Sequence, residues 1–218
     1  PIGIVLMVLV AGCNTPPPVG RPLSEGDGPA HEVCQELEEI DSLMWRQPDS
    51  AFAVLRQFAA SPKADSLDEF NGHYCQLLVA ELLYKNYYGQ SNREEVLKAV
   101  GYFDSIVVAD GAEARGASLR ERNVFLDARA HYINGAGFYE KKNMVQACSE
   151  YLKALEVMEE HFEEKALTGK RAVFMFYTYN RLLELFSAQF MMASAIKCGE
   201  EALAYCQKEP SLSKEIPN

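Results

Sequence analysis

The segment from Ile133 to Met158, INGAGFYEKKNMVQACSEYLKALEVM, decides the fold. Small and aromatic side chains recur in it at intervals of three and four, which places them on one face of a helix. Asn143 divides the segment and is a typical N-cap residue. We therefore predict two closely packed helices, because small residues let helix backbones approach and aromatic side chains fill the remaining groove. The residues that carry the pattern are Gly135, Phe138, Ala147, Tyr151 and Ala154.

Helical periodicity continues on both sides of this segment. Pro48, Gly89, Gly111 and Gly116 interrupt it, and no stretch has convincing strand periodicity. We predict eight helices in four antiparallel pairs, since short links between successive helices make neighbours antiparallel. The first predicted helix ends before residue 48, and the others cover about 48–61, 68–88, 92 to the break at 111, 119–140, 143–163, 171–189 and 193–207.

The spacing of small and aromatic residues recurs in the other pairs. It is carried by Leu182, Leu183, Phe186, Ala195, Gly199 and Ala202 in the fourth pair, by Ala51, Leu55 and Phe58 in the first, and by Ala99 and Phe103 in the second. Over residues 31–208 the chain resembles the tetratricopeptide-repeat (TPR) family. The resemblance implies an all-α fold, a right-handed α-α superhelix of about four helical hairpins. Leu183 and Gly199 depart from the family pattern, as does the separation of 48 residues between Ala147 and Ala195, against a repeat of about 34 residues in the family.

The N-terminal residues form a separate region. Ile2 to Ala11 is an apolar run of the length of a signal-peptide h-region, too short to span a bilayer as a helix. Val10-Ala11-Gly12-Cys13 resembles the bacterial lipobox, which implies a diacylglycerol group on Cys13. The Pro/Gly-rich residues that follow suit a tether. The alternative, a buried strand that ends in an unrelated cysteine, does not explain the order of apolar run, lipobox and tether.

We therefore expect four regions: a partial lipoprotein signal peptide (1–12), a lipidated tether (13–30), a TPR-like domain (31–208), and a tail or the start of a further repeat (209–218). The sequence begins at Pro1 without Met or a basic segment, so we expect residues upstream. The resemblance to lipoproteins implies a lipid-anchored protein of the cell envelope, which faces the periplasm because no acidic run follows the lipid cysteine.

Composition and motifs exclude several functions. The formal net charge of −10 argues against nucleic-acid binding, which needs a concentrated basic surface. The sequence has no glycine loop for phosphate, no HExxH and no GxSxG, so we predict neither an enzyme nor a cofactor or metal. His161 has acidic neighbours, Glu159, Glu160, Glu163 and Glu164, but we interpret them as a solvated helix end. His131 is expected to be a packing residue, and the cysteines other than Cys13 to be free thiols.

The TPR resemblance also implies a binding surface. In that family the first helix of each pair lines a concave groove, and the residues between its packing positions face the ligand. Tyrosine and arginine are common in binding hot spots, and arginine pairs with carboxylates. On the third pair the implied groove residues are Arg129, Tyr132, Ile133, Ala136 and Tyr139, and on the fourth Tyr177, Asn180, Arg181, Glu184 and Ser187.

These observations predict a membrane-anchored scaffold or adaptor that binds a protein or peptide partner in the cell envelope. The oligomeric state is left open. One alternative is a lipoprotein that binds a glycan or nutrient for uptake, for which Trp45 is the single tryptophan platform. Another is the sensory input module of a longer signalling protein.

Overall fold

The computed structural model of the chain describes residues 33–86, 93–110 and 117–214. The predicted signal peptide, lipid-attachment residue Cys13 and tether lie outside these residues, as do the helix breaks at Gly89, Gly111 and Gly116. Within the described residues the fold is all-α and contains no strand, as predicted.

Eight α-helices occur in the described part of the chain. They are α1 (Gln35–Met44), α2 (Pro48–Ala59), α3 (Glu69–Lys85), α4 (Arg93–Asp110), α5 (Ala117–Glu140), α6 (Met144–His161), α7 (Lys170–Ala188) and α8 (Met192–Lys208). Short 3-10 helices lie at Ala64–Ser66, Glu164–Ala166 and Pro210–Lys214. No helix among the described residues is both long enough and apolar enough to cross a membrane.

The chain divides into two compact units, residues 1–88 and 89–218. The boundary falls between α3 and α4, outside the described residues. The first unit contains α1, α2 and α3, and both α1 and α2 pack against α3. Asp68 is the N-cap of α3, since its side chain accepts a hydrogen bond from the backbone N–H of Asn71 at 2.8 Å, and the helix starts within one residue of the predicted position. The core residues of this unit include Leu37, Ile40, Met44, Ala51, Leu55, Phe70, Leu77 and Leu78.

In the second unit each helix from α4 to α8 packs against the next one along the chain. Asn143 caps α6 as predicted, since its side chain accepts a hydrogen bond from the backbone N–H of Gln146 at 3.3 Å. The 3-10 helix at the end of the described chain lies against α8, where the Sγ of Cys206 is 3.2 Å from the carbonyl oxygen of Leu212. Leu212 is buried, so this part of the predicted tail belongs to the packed unit.

The links α5–α6 and α7–α8 have the same local geometry, 48 residues apart. Lys142 and Phe190 each adopt a φ of 59°. The next residue in each link donates its N–H five residues back, from Asn143 to the carbonyl of Phe138 at 3.0 Å and from Met191 to that of Phe186 at 2.9 Å. This left-handed residue after a helix end is a common helix stop. The spacing of 48 residues found in the sequence therefore corresponds to two similarly built links.

The close approach of α5 and α6 depends on Gly135. A Cβ atom at this position would lie 2.8 Å from Cε1 of Tyr151 and 3.3 Å from the carbonyl oxygen of Ala147. Tyr151 and Ala147 are fully buried and have little room to move. The contact explains why a small residue, an alanine and an aromatic residue occur together in the sequence.

We therefore expect Gly135→Ala to lower the free energy of unfolding by about 1–2 kcal/mol, because overpacking outweighs the higher helix propensity of alanine. Gly101→Ala in α4 is the matched control, since no atom lies within 4 Å of a Cβ built there. That substitution is expected to raise the free energy of unfolding by about 0.5–1 kcal/mol. Urea denaturation of both variants measures the difference, and stabilisation by both would contradict the described packing.

Candidate functional site

The predicted groove residues on α5 are mostly packed inside the protein. Arg129 is completely buried, and Ile133 and Ala136 are each only 1% exposed. This corrects the expectation that these three side chains line an accessible groove. Arg129 is an i, i+4 neighbour of Phe125, with the guanidinium carbon 5.4 Å from the ring centroid, and a cation near an aromatic face is stabilised when both are shielded from water.

The tyrosines of α5 also take part in packing. Tyr132 is half-buried, and its ring centroid lies 5.4 Å from that of Tyr151 and 5.6 Å from that of Phe174. It therefore joins α5 to both α6 and α7. Tyr139, near the end of α5, is half-buried as well.

The predicted groove residues on α7 are more accessible. Tyr177 is 37% exposed, and Glu184 and Ser187 are also exposed. Arg181 is half-buried and donates to Glu184 one turn further along α7 at 2.7 Å. Asn180 donates to the carbonyl of Phe176 at 3.1 Å. The structure thus leaves an exposed polar face on α7, whereas Arg129, Ile133 and Ala136 of α5 are buried.

A different surface forms an open cavity of about 760 Å³ between α6, α7 and α8. We call it the α6–α8 groove. None of the residues predicted to line a groove contributes to it. Its apolar side chains are Leu152, Leu155, Leu182, Phe186 and Cys198, and its polar side chains are Glu156, Glu159, Glu160, Tyr179, Ser194, Lys197 and Glu201.

The α6–α8 groove is negatively charged. Four glutamates contribute to its lining, and Lys197 is the single basic residue among the lining side chains. The hydroxyl of Tyr179 donates a hydrogen bond to Glu159 at 2.6 Å. The Tyr179 ring stacks on that of Tyr205, with ring centroids 6.1 Å apart. Burial raises the pKa of Tyr179, and burial together with nearby glutamates raises the pKa of Tyr205 to about 12. Both hydroxyls are therefore neutral at physiological pH.

The one thiol in this groove is not activated. Burial raises the pKa of Cys198, and the opposing charge of Lys197 does not reverse this shift, so the thiol stays neutral. The described cysteines, Cys34, Cys75, Cys148, Cys198 and Cys206, are all free thiols. The groove therefore offers apolar side chains and carboxylates to a ligand.

Glu163 and Glu164, which follow α6, form ion pairs with lysines rather than with His161. Glu163 pairs with Lys165 at 2.6 Å, and Glu164 pairs with Lys208 of α8. His161 itself has its Nδ1 3.0 Å from the carbonyl oxygen of Val157. The arrangement fits a solvated helix end with surface ion pairs, each of which contributes at most about 1 kcal/mol.

A second polar feature, which the sequence did not reveal, lies where α4, α5 and α6 meet. Its centre is His131 on α5, which is 1% exposed. The Nδ1 of His131 is 2.8 Å from Oε2 of Glu150 on α6. Its Nε2 is 3.5 Å from Oδ1 of Asp104 on α4 and 3.7 Å from Oδ1 of Asp127 on α5. Lys153 of α6 donates to both Asp104 oxygens at 3.0 Å. We call these five residues the His131 cluster.

The surroundings shift the protonation of this cluster. Burial raises the pKa of Asp127 to about 7, although His131 and Lys153 oppose the shift. Burial by itself lowers the pKa of His131, but the hydrogen bond to Glu150 and the charge of Asp127 raise it above its usual value. His131 was predicted to be a packing residue, and it is instead the hub of a polar network. The available sequence signal was the i, i+4 pair of Asp127 and His131 on one helix.

Trp45 is positioned by packing in the first unit. Its Nε1 donates to Asp41 at 3.3 Å, and the Nζ of Lys85 lies 4.8 Å from its ring centroid. The cation therefore lies against one face of the only tryptophan in the sequence, which leaves less of the ring free to stack on a sugar.

Comparison of the chain with protein-family models, curated proteins and solved structures found no match. A functional assignment therefore has to rest on the geometry and charge of the described residues. Two features stand out: the α6–α8 groove on the surface and the buried His131 cluster.

Proposed function

We propose that the chain is a helical binding module whose α6–α8 groove holds a basic protein or peptide segment that also carries apolar side chains. The observation that carries this proposal is a groove whose lining combines apolar side chains with four glutamates and a single lysine. Burial of apolar side chains away from water stabilises a complex by roughly 25 cal/mol per Å² of buried apolar area. Basic side chains beside them would pair with the glutamates.

The size of the groove supports a ligand of several side chains. A cavity of about 760 Å³ lies within the roughly 300–1,000 Å³ range of sites that enclose small ligands, and the groove is open, so a longer segment can enter at one side. Leu152, which lines the groove, is 47% exposed and offers apolar area to such a ligand. The protein's net charge of −10 also attracts a cationic segment from a distance.

The superhelical TPR-like arrangement and the membrane anchor are part of the same proposal. The similar links of the last two hairpins support a repeat architecture, in which stacked hairpins present an extended binding surface. The lipobox-like residues ending at Cys13 support a lipid anchor in the cell envelope, facing the periplasm. In this arrangement the Pro/Gly-rich residues hold the binding module away from the membrane.

A direct binding measurement tests the groove. The probe is a synthetic cationic amphipathic helix of lysine and leucine, and its glutamate-for-lysine counterpart is the control probe. We expect the protein to bind the lysine probe and not the glutamate probe in isothermal titration calorimetry. The variant Glu156→Gln/Glu160→Gln/Glu201→Gln is expected to bind about tenfold more weakly, since each partly exposed pair contributes up to about 1 kcal/mol. Glu159 is kept because it holds Tyr179.

A matched control separates groove binding from general attraction to an acidic protein. Glu39→Gln/Glu69→Gln/Glu140→Gln changes the same total charge at exposed positions outside the groove. It should retain nearly wild-type affinity at 0.15 M salt, where charges more than about 8 Å apart are screened. Equal losses of affinity in the two triple variants would count against the groove as the binding site.

A further inference from the structure

Three electron-rich atoms in the His131 cluster face one another. They are the Nε2 of His131 and one carboxylate oxygen each from Asp104 and Asp127, and all three lie within 4.8 Å of one another. The two distances from Nε2 are 3.5 and 3.7 Å. Ligand atoms bound to a zinc ion at about 2.0–2.2 Å in a tetrahedral shell are separated by roughly 3.3–3.6 Å. The spacing therefore suits a shared cation.

The hydrogen bond to Glu150 sets the orientation of the imidazole. A carboxylate accepts hydrogen bonds, so the 2.8 Å contact places a proton on Nδ1 of His131. In the neutral ring, Nε2 then carries a lone pair directed toward Asp104 and Asp127. A carboxylate that accepts from the far nitrogen of a metal-binding histidine is a common outer-shell arrangement, and it fixes the tautomer that binds the metal.

Asp127 provides an independent observation. The residue is 1% exposed, and its Oδ1 has no hydrogen-bond partner. A buried carboxylate oxygen without a donor is costly, and proteins rarely retain one without a function or a bound group. This oxygen is the one directed toward Nε2 of His131. Such an arrangement differs from a surface group of acidic residues, whose oxygens are satisfied by water.

We propose that Asp104, Asp127 and His131 bind a divalent transition-metal ion such as Zn²⁺, with Glu150 as the outer-shell partner of His131. One nitrogen and two oxygen ligands suit ions of this class. The ion would connect α4 with α5 directly and α6 through Glu150. No catalytic role follows from these residues alone, and the proposal is independent of peptide binding in the α6–α8 groove.

Lys153 does not block such an ion. Its Nζ is 3.0 Å from both Asp104 oxygens, but its side chain is 44% exposed. The ammonium group can therefore turn toward solvent, or keep its hydrogen bond to one Asp104 oxygen while the other binds the ion. The Asp104 side chain is 37% exposed, which gives an ion a route from solvent. The competing explanation is a second proton on His131, which would donate from Nε2 to the carboxylates without any metal.

The test uses tag-free protein that has been stripped with a chelator and dialysed. We expect wild-type protein to bind one equivalent of Zn²⁺ in isothermal titration calorimetry, and to bind Co²⁺ with visible absorption that lacks thiolate charge transfer. Asp127→Asn should weaken Zn²⁺ binding by about 100-fold or more, and Glu150→Gln by roughly 10–100-fold, as for other outer-shell partners. Circular dichroism of the chelated variants should match the wild type.

Matched variants away from the cluster give the controls. Asp49→Asn on α2 and Glu140→Gln at the end of α5 make the same chemical changes at exposed positions elsewhere, and both should bind Zn²⁺ like the wild type. Failure of the stripped wild-type protein to bind Zn²⁺ would overturn the proposal in favour of a protonated histidine. Equal affinity in Asp127→Asn, or a thiolate band with Co²⁺, would overturn it as well.

Discussion

Replacing Arg129 with alanine is expected to lower the free energy of unfolding by about 3–5 kcal/mol, as when a large side chain is truncated in a packed interior. Arg129 is completely buried, and it is the largest of the fully buried side chains in the described part of the protein. Its truncation leaves a cavity and removes the contact with Phe125. Chemical denaturation monitored by circular dichroism measures the change.

Arg181→Ala is the matched control for this prediction. Both arginines were expected to line the same ligand groove, but the Arg181 side chain is 33% exposed and pairs with Glu184 on the same helix. An exposed pair of this kind contributes at most about 1 kcal/mol. Similar small effects of the two substitutions would show that Arg129 is accessible, and would restore it as a candidate ligand-binding residue.

In metal-free protein, Asp127 is expected to make the free energy of unfolding depend strongly on pH. Its pKa is about 7 in the fold, against 3.8 as the ordinary value, so the folded state holds this proton more tightly than the unfolded state. The contribution of Asp127 to stability is therefore fully present below about pH 4 and is lost as the pH rises through 7. The slope is at most about 1.4 kcal/mol per pH unit for a single proton. His131, Asp104, Glu150 and Lys153 face this carboxyl group and influence its titration.

Asp127→Asn removes this titration and keeps the shape of the side chain. We expect the variant to be more stable than the wild type by about 1–3 kcal/mol at pH 8, and to differ little from it near pH 4. Denaturation in the presence of a chelator at both pH values provides the measurement, with the exposed Asp49→Asn as control. A difference that does not change with pH would mean that Asp127 is ionised normally in the fold.

Much of the fold could be predicted from local sequence. The apolar period of three and four, Pro48 at the start of α2, and Asn143 as the cap of α6 indicate helices whose bounds agree with the structure to within a few residues. Gly135 was recognised as a close-packing position, and its contact with Tyr151 supports that interpretation. These features depend on neighbours within one or two helices, which is why sequence spacing reveals them.

The candidate sites could not be predicted in the same way. Arg129 was assigned to a ligand groove by its place in a family frame, but burial of a charged side chain depends on what packs over it in three dimensions. The His131 cluster joins residues from three helices, and Lys153 lies 49 positions from Asp104. Glu159 and Glu160 are neighbours of His161 in the sequence, whereas the structure places both glutamates at the α6–α8 groove with residues of two further helices.

Photo-crosslinking measures directly whether a ligand binds in the α6–α8 groove. Two proteins each carry one benzoylphenylalanine. In the first it replaces Phe186, which lines the α6–α8 groove, and in the second it replaces Tyr177, which lies on the exposed face of α7 outside the groove. Each protein is irradiated with the lysine–leucine probe, and the adducts are mapped by mass spectrometry. We predict crosslinking from position 186 that is lost in the Glu156→Gln/Glu160→Gln/Glu201→Gln background. Crosslinking from position 177 and none from position 186 would exclude the α6–α8 groove as the binding surface and would favour the face of α7 expected from the TPR resemblance.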